Sequence, residues 1–399
     1  MKAKYSSNVW LATAFSYLDR GAAFVCPLLV LKWLDRGDAY IAIEYIISLS
    51  IILATFFDAG LRGYMLYAAK KSNSTNESVF LSIAMAFKPL AALHVLGIII
   101  AVTVGWIANA EEPYLIGLAI ARASALAATG LVAQGLILVG RPAFSPLISI
   151  ANWGLSCISM LLPVSSSDMT LTVAFFSGSF AIVLAALLMN VRGKFSENNI
   201  RSSLHQITDS LGWGWPLLIS AAASMMVGNF SKVYAFSNLP KEDVLAFTFW
   251  MRAFSVVQLS HVAIVSILIG QIYKTSQHGV LFENLMRYLR FIAPPAMLIL
   301  FFGVFGNIFV STVPFLTIAA TIVLFFYFCL WCLGAYLEVY LSRNGENSII
   351  LKSSLWSSAI YVFGIVLWQP NSASHLALIM AASAAFYTVL IVWKIKFKT

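Results

Sequence analysis

The sequence predicts an all-α polytopic membrane protein, with about twelve transmembrane helices in two six-helix bundles around a central cationic cavity. Three observations carry this reading. Apolar residues make up 60% of the 399 positions and charged residues only 10%, with a mean hydropathy of +0.87. A soluble chain of this length has nowhere to hide so much apolar surface, whereas lipid solvates it. Apolar runs long enough to cross a bilayer recur along the chain without the alternation of a barrel. In lipid such runs satisfy their own backbone only as helices. Finally, four cations lie deep inside these runs: Arg20, Lys88, Arg122 and Arg252.

In chain order the runs cover residues 9–34, 40–60, 78–108, 113–139, 143–163, 170–191, 211–237, 243–270, 288–311, 312–341, 348–368 and 373–394. The first follows Lys2 and Lys4 as a secretory leader would. It runs well past the apolar core of such a leader, and no small-residue cleavage site closes it, so it reads as a retained span. The second ends where Asp58 and Arg62 stand four apart, in the favourable order for a helix ion pair. In the third, Pro89 follows Lys88 and predicts a kink beside that charge. The fourth surrounds Arg122 with small residues, ARASALAATG, which permit close approach and make this a central helix. The ninth and tenth runs divide near Asn307 to Pro314.

The most polar internal segment, RGKFSENNIRSSLHQITDS at residues 192–210, reads as a cytoplasmic linker. It separates an N-terminal bundle, 1–191, from a C-terminal bundle, 211–399. Each half opens on a long helix, a short outer loop (LDRGDAY, then SNLPKED) and a descending helix, a repeat in outline. With the N-terminus inside, Lys2, Lys4, Arg62, Lys70, Lys71, Arg141, Arg192, Lys194, Arg201, Lys274, Arg343, Lys352, Lys394, Lys396 and Lys398 share one side. The opposite loops hold Arg36 and Lys241, with Lys32 close by. That bias places both termini in the cytoplasm.

Several functions are excluded at this stage. The net charge of +9 does not signal nucleic acid, since no soluble domain presents a basic face. There is no phosphate-binding Gly-Lys-Ser/Thr loop and no long connection to hold a catalytic or nucleotide-driven domain. Energy must come from an ion or substrate gradient or the membrane potential, and no cofactor is expected. Cys26, Cys157, Cys329 and Cys332 all fall inside spans without a histidine or carboxylate beside them for a metal, and read as small packing residues. His94 and His261 read as packed or hydrogen-bonded.

Each deep cation lies roughly 12–16 Å from the nearer helix end at ~1.5 Å per residue. A charge near the bilayer centre costs ~2.5 kcal/mol or more, so it faces a bundle interior or a water-filled cavity. Arg20 shares a helix face with Thr13, Ser16 and Tyr17. Asp19, the acid clearly at this depth, is turned ~100° away and is expected to reach another helix, with Lys88 as a candidate partner. Arg252 has Thr248 and Ser255 on its face. Arginine stays charged when buried, whereas lysine sheds its proton more readily, and the arginine fork suits phosphate. Lys232, nearer an outer end, either joins the binding set or snorkels to the interface. Asp19, Asp58, Arg62 and Glu338, the last near the inner end of the tenth run, are gating or coupling candidates. A cationic cavity in a membrane wants an anion.

Two stretches carry a family resemblance. YIISLSIILATFFDAGLRGYMLYAAKK resembles the second span of Wzx-type polysaccharide flippases, where an Asp-x-Gly signature precedes a basic stretch; Asp58, Gly60, Arg62, Lys70 and Lys71 match. WPLLISAAASMMVGNFSKVYAFSNLPKEDVLAFTFWMRAFSVV resembles the spans opening the second half in the same superfamily of multidrug, oligosaccharidyl-lipid and polysaccharide exporters. Arg252 falls where that pattern commonly has a basic residue, while Ser231, followed by Lys232, stands where an acid is often found. The resemblance implies a flippase of the bacterial cytoplasmic (inner) membrane. Its substrate would be an undecaprenyl-diphosphate-linked oligosaccharide, moved to the periplasmic leaflet by alternating access for O-antigen assembly. Implied partners are membrane lipids, a polysaccharide polymerase and a chain-length regulator. Arg20, Lys88, Arg122, Arg252 and Lys232 are then the substrate-binding set. A drug exporter would favour cationic substrates, a lipid II flippase typically has two further spans, and a polymerase or glycosyltransferase would need a long hydrophilic loop.

Overall fold

The computed structural model describes residues 2–71, 76–139, 141, 144, 146–158, 167–183, 197–274, 278–309, 316–343 and 346–396. Among them the regular structure is helical, with no strand. Arg192, Lys194 and Lys398, and the divide between the ninth and tenth runs at 310–315, lie outside the described residues. Among the described residues seven stretches are long and apolar enough to cross a membrane unaided, and the protein is an integral multi-pass membrane protein. The chain divides into two compact units, Met1–Leu218 and Ile219–Thr399.

The N-terminal unit is built from α1 (Lys2–Lys32), α2 (Gly37–Phe57), α3 (Leu61–Lys71), α4 (Asn76–Ala108), α5 (Glu112–Leu138), α6 (Leu147–Ile158), α7 (Asp168–Phe175) and helical residues 177–183 (α8). Helix α5 is its axis. In its apolar window 61% of residues are buried, against 17% in α4, which turns Leu93, Leu96, Ile99 and Ile100 outward as lipid-facing residues do. The alanines of α5, at 119, 121, 123, 125 and 127, are almost fully covered, and α2 and α4 pack on this small-residue surface. The alanine surface lets neighbouring backbones come close, which is how association proceeds where lipid offers no hydrophobic drive.

The second run breaks sharply. Asp58 ends α2, its carboxylate accepts the Gly60 N–H at 3.1 Å, and Ala59 and Gly60 take left-handed φ of 48° and 77°. Glycine at 60 relieves one of these two positive angles and also leaves room for Ser210, whose hydroxyl would meet an added Cβ at 3.3 Å. The Ser210 hydroxyl donates to the Ala59 carbonyl at 2.9 Å. The Asp-x-Gly signature is thus, first, the geometry of a helix break.

Residues 197–210, expected as part of a linker, form the opening turns of α9 (Glu197–Met225). Their polarity has a structural cause. Gln206 donates to the Ser82 hydroxyl of α4 and Ser210 docks on the α2 terminus one turn later, while His205, Thr208 and Asp209 stay exposed. The division between units falls within α9.

The C-terminal unit continues with a π-helical turn, Met226–Phe230, then α10 (Ser231–Asn238), α11 (Lys241–Lys274), α12 (His278–Phe309), α13 (Ile318–Arg343), α14 (Asn347–Trp368) and α15 (Ala373–Lys396). Helix α13 packs on α11 and α15, and α14 on α15. Val257, Tyr288, Ile292, Tyr336, Leu337 and Ile391 close the core. Helix α12 runs through Pro294 and Pro295 and shows Phe291, Met297, Leu298 and Phe301 outward.

Candidate functional site

The sixth and seventh helices of the N-terminal unit build an aromatic seat for Arg122. Its guanidinium carbon lies 4.4 Å from the centroid of the Trp153 ring and 5.3 Å from that of Phe176. Phe175 supports both rings edge-on, and all three aromatics are buried. A desolvated cation over a ring gains ~2 kcal/mol, comparable to the cost of holding the charge in the membrane. Asp19 supplies charge. Its carboxylate lies near the Ser149 hydroxyl of α6, with one oxygen buried and without a hydrogen-bond partner among the described residues, and feels the charges of both Arg20 and Arg122. The α1–α6 contact thus gathers Asp19, Arg20, Arg122, Ser149 and Trp153 into one constellation.

Lys88 is not drawn into it. Lys88 is half-buried on α4, whose neighbouring Phe87 and Ala91 pack toward α5, and among the described residues no ion pair joins it to Asp19. The expectation of an Asp19–Lys88 pair is corrected: Asp19 reaches α6 and the two arginines instead. Helix α4 runs unbroken through Pro89.

At the other end of α5, Arg62 Nε donates to Asp58 Oδ2 as the four-residue spacing predicts. Asp58 is buried and Arg62 is partly exposed. The Arg62 side chain crosses Gly130 of α5 so closely that a Cβ there would meet its Cδ and Nη1 at 2.8 Å. This carboxylate therefore caps a break, anchors an arginine and abuts the central helix.

In the C-terminal unit Arg252 is buried on α11. The two hydroxyls expected beside it both donate along their own helix, Thr248 to the Val244 carbonyl at 2.7 Å and Ser255 to the Arg252 carbonyl at 2.6 Å. Lys232 is half-buried at the start of α10. Beside it, the fully buried Ser231 shares a 2.7 Å hydrogen bond with the Tyr361 hydroxyl. Glu338 of α13 accepts from the Tyr387 hydroxyl of α15. His261 shares a 2.6 Å hydrogen bond with Tyr288, which in turn donates to the Cys332 carbonyl, and His94 of the other unit stacks on Phe57.

No family model matches the chain, and no curated protein does. Solved structures do. The lipid II flippase MurJ, in an inward closed conformation, aligns with 97% of this chain and 87% of its own at a TM-score of 0.65 and 12% identity. A multidrug resistance MATE family transporter of the MOP superfamily, inward-facing, aligns with 97% of this chain and 93% of its own at 0.56 and 15% identity. The outward-facing conformation of a transporter of that family gives 98%, 95%, 0.54 and 14%. The fold is that of MurJ and the MATE transporters.

Within this MurJ-like fold, sequence reasoning found the charges and missed what holds them. Trp153 and Phe176 carried a signal: aromatics inside apolar runs, away from the interfacial belts, with Asn152 beside the tryptophan. Glu44 was missed too. It is a fully buried acid two turns into α2, so Asp19 is not the one deep carboxylate of its unit.

Proposed function

We propose that the protein is a flippase for an undecaprenyl-diphosphate-linked oligosaccharide, moving it from the cytoplasmic to the periplasmic leaflet for surface polysaccharide assembly. The bundles 1–191 and 211–399, each of six spans and joined through 192–210, would give the substrate alternating access to the two leaflets. Both termini would lie in the cytoplasm. Arg20, Lys88, Arg122, Arg252 and Lys232 would hold the diphosphate or acidic sugars, and Asp19, Asp58, Arg62 and Glu338 would gate or couple the movement. The supporting observation is Arg122, a permanent cation buried in an aromatic seat, in a fold shared with a lipid flippase. Asp19 offsets part of that charge, leaving two guanidiniums to one carboxylate in this constellation.

Lipid II is the second reading, because the MurJ structure covers nearly the whole chain. A leaflet-resolved assay in reconstituted vesicles separates them. Protein-dependent transfer of a labelled undecaprenyl-diphosphate oligosaccharide, outpacing lipid II, is the expected result. Transfer should fall at least about tenfold in Arg20→Ala and Arg252→Ala, a loss of ~1.4 kcal/mol or more per residue. Faster lipid II transfer selects the second reading; absence of transfer, or joining of glycans by the purified protein, overturns both.

A further inference from the structure

Cys26 of α1 and Cys157 of α6 lie 131 positions apart in the chain, yet their Sγ atoms are 2.8 Å apart. That is within about 1 Å of the ~2.0 Å of a disulfide bond. Cys26 is buried, with its Sγ 3.8 Å from the Trp153 carbonyl, while Cys157 is half-buried. The contact has a register partner. Seven residues before Cys26 stands Asp19 and eight before Cys157 stands Ser149, and the Ser149 hydroxyl lies near the Asp19 carboxylate. Seven- and eight-residue steps keep to one helix face. The α1–α6 seam therefore carries a polar contact at one level and a sulfur pair two turns on, with Trp153 between them on α6.

We propose that Cys26 and Cys157 close into a disulfide that staples α1 to α6 and fixes the aromatic seat of Arg122 against Asp19. The oxidant is a disulfide-bearing dithiol oxidant of the extracytoplasmic space, where the charge bias puts the C-terminal end of α1; the cellular setting rests on that proposed orientation. The more accessible Cys157, as its thiolate, attacks the donor disulfide, forming a mixed disulfide and releasing one donor thiolate. The Cys26 thiolate then attacks the Cys157 sulfur, forming the Sγ–Sγ bond and releasing the second donor thiolate. The two cysteine protons end on the donor, which leaves as a dithiol with the two electrons. Cys329 and Cys332 share one helix, and Cys332 Sγ turns instead to the Val257 carbonyl.

The test uses the full-length protein, first purified in detergent and incubated with oxidised glutathione, which reports the chemistry whatever the orientation. Digestion without reductant should yield a linked peptide pair containing Cys26 and Cys157. Cys157→Ser should abolish the link and leave Cys26 open to alkylation, with Cys26→Ser as the reciprocal control. The thermal midpoint of the wild type should fall by several degrees on reduction, and that of Cys157→Ser should not move. Alkylation of both thiols after glutathione treatment overturns the proposal. In cell membranes trapped with a permeant maleimide, the same linked pair is expected. Closure in the purified protein but two free thiols in membranes overturns the cellular bond and assigns the failure to the orientation, while leaving the transport reading untouched.

Discussion

The two units bury polarity in different ways. Around Arg122 the N-terminal unit uses full charges and aromatic faces, with Asp19, Arg20, Trp153 and Phe176 within reach of one guanidinium or its acid. In the C-terminal unit, neutral hydroxyls meet along one face of α14. Ser354 bonds Ser220 at 3.1 Å, Ser358 donates to the Ala223 carbonyl at 2.8 Å, and Tyr361 bonds Ser231 at 2.7 Å. Ser357 and Ser383 pair across α14 and α15 at 2.8 Å. A hydroxyl seam costs little to assemble and little to part, because each partner finds a substitute acceptor along its own helix. A charge on an aromatic seat has no such substitute. The first unit should therefore be stiff at its polar centre and the second compliant.

Four substitutions press on that contrast. Trp153→Ala should have the largest effect, costing ~3 kcal/mol or more from the cavity and the lost cation–π face, read as a drop in thermal midpoint in detergent; a near-neutral result would remove the seat from the argument. Asp19→Asn keeps an acceptor for Ser149 but removes the acid facing two arginines. Since Asp19 is only half-buried, solvent screening reduces the expected loss to ~1–2 kcal/mol. Ser231→Ala should cost ~0.6–1 kcal/mol, and a loss rivalling that at Asp19 would show the hydroxyl seam to be as stiff as the charged centre. Glu338→Gln retains an acceptor for Tyr387 and should change stability by less than about 0.5 kcal/mol. If Glu338 titrates during transport, the pH dependence of the vesicle assay should flatten in this variant; an unchanged profile excludes it as the coupling group.

Much of the architecture was legible because bilayer physics writes in long apolar runs. Among the described residues the apolar runs are largely helical, seven of the helices being long and apolar enough to cross a membrane, and the alanines around Arg122 announced a central helix that the burial of α5 bears out. The Asp58–Arg62 pair was legible for a similar reason, being local. What the runs cannot express is contact between them. Asp19 was assigned toward Lys88 by counting angles on one helix, but its partner is set by the packing of α1 on α6. Trp153 and the meeting of Cys26 with Cys157 were hidden by the same gap, since no spacing in one dimension links positions more than a hundred residues apart. The opening of α9 was obscured differently: its polar residues look like a connection until Gln206 and Ser210 are seen bonding to α4 and the end of α2.

The π-helical turn at Met226–Phe230 sets the phase of everything after it. One residue is accommodated without advancing the spiral, so the side chains of α10 arrive about 100° behind the count of a regular helix. Extended without that turn, α9 would bring Phe230 to the angular position that Ser231 holds opposite Tyr361. A ring would meet a phenol, and the lysine now at the start of α10 would point elsewhere. A single slipped residue in the backbone thus selects which letter of the sequence is read into the core.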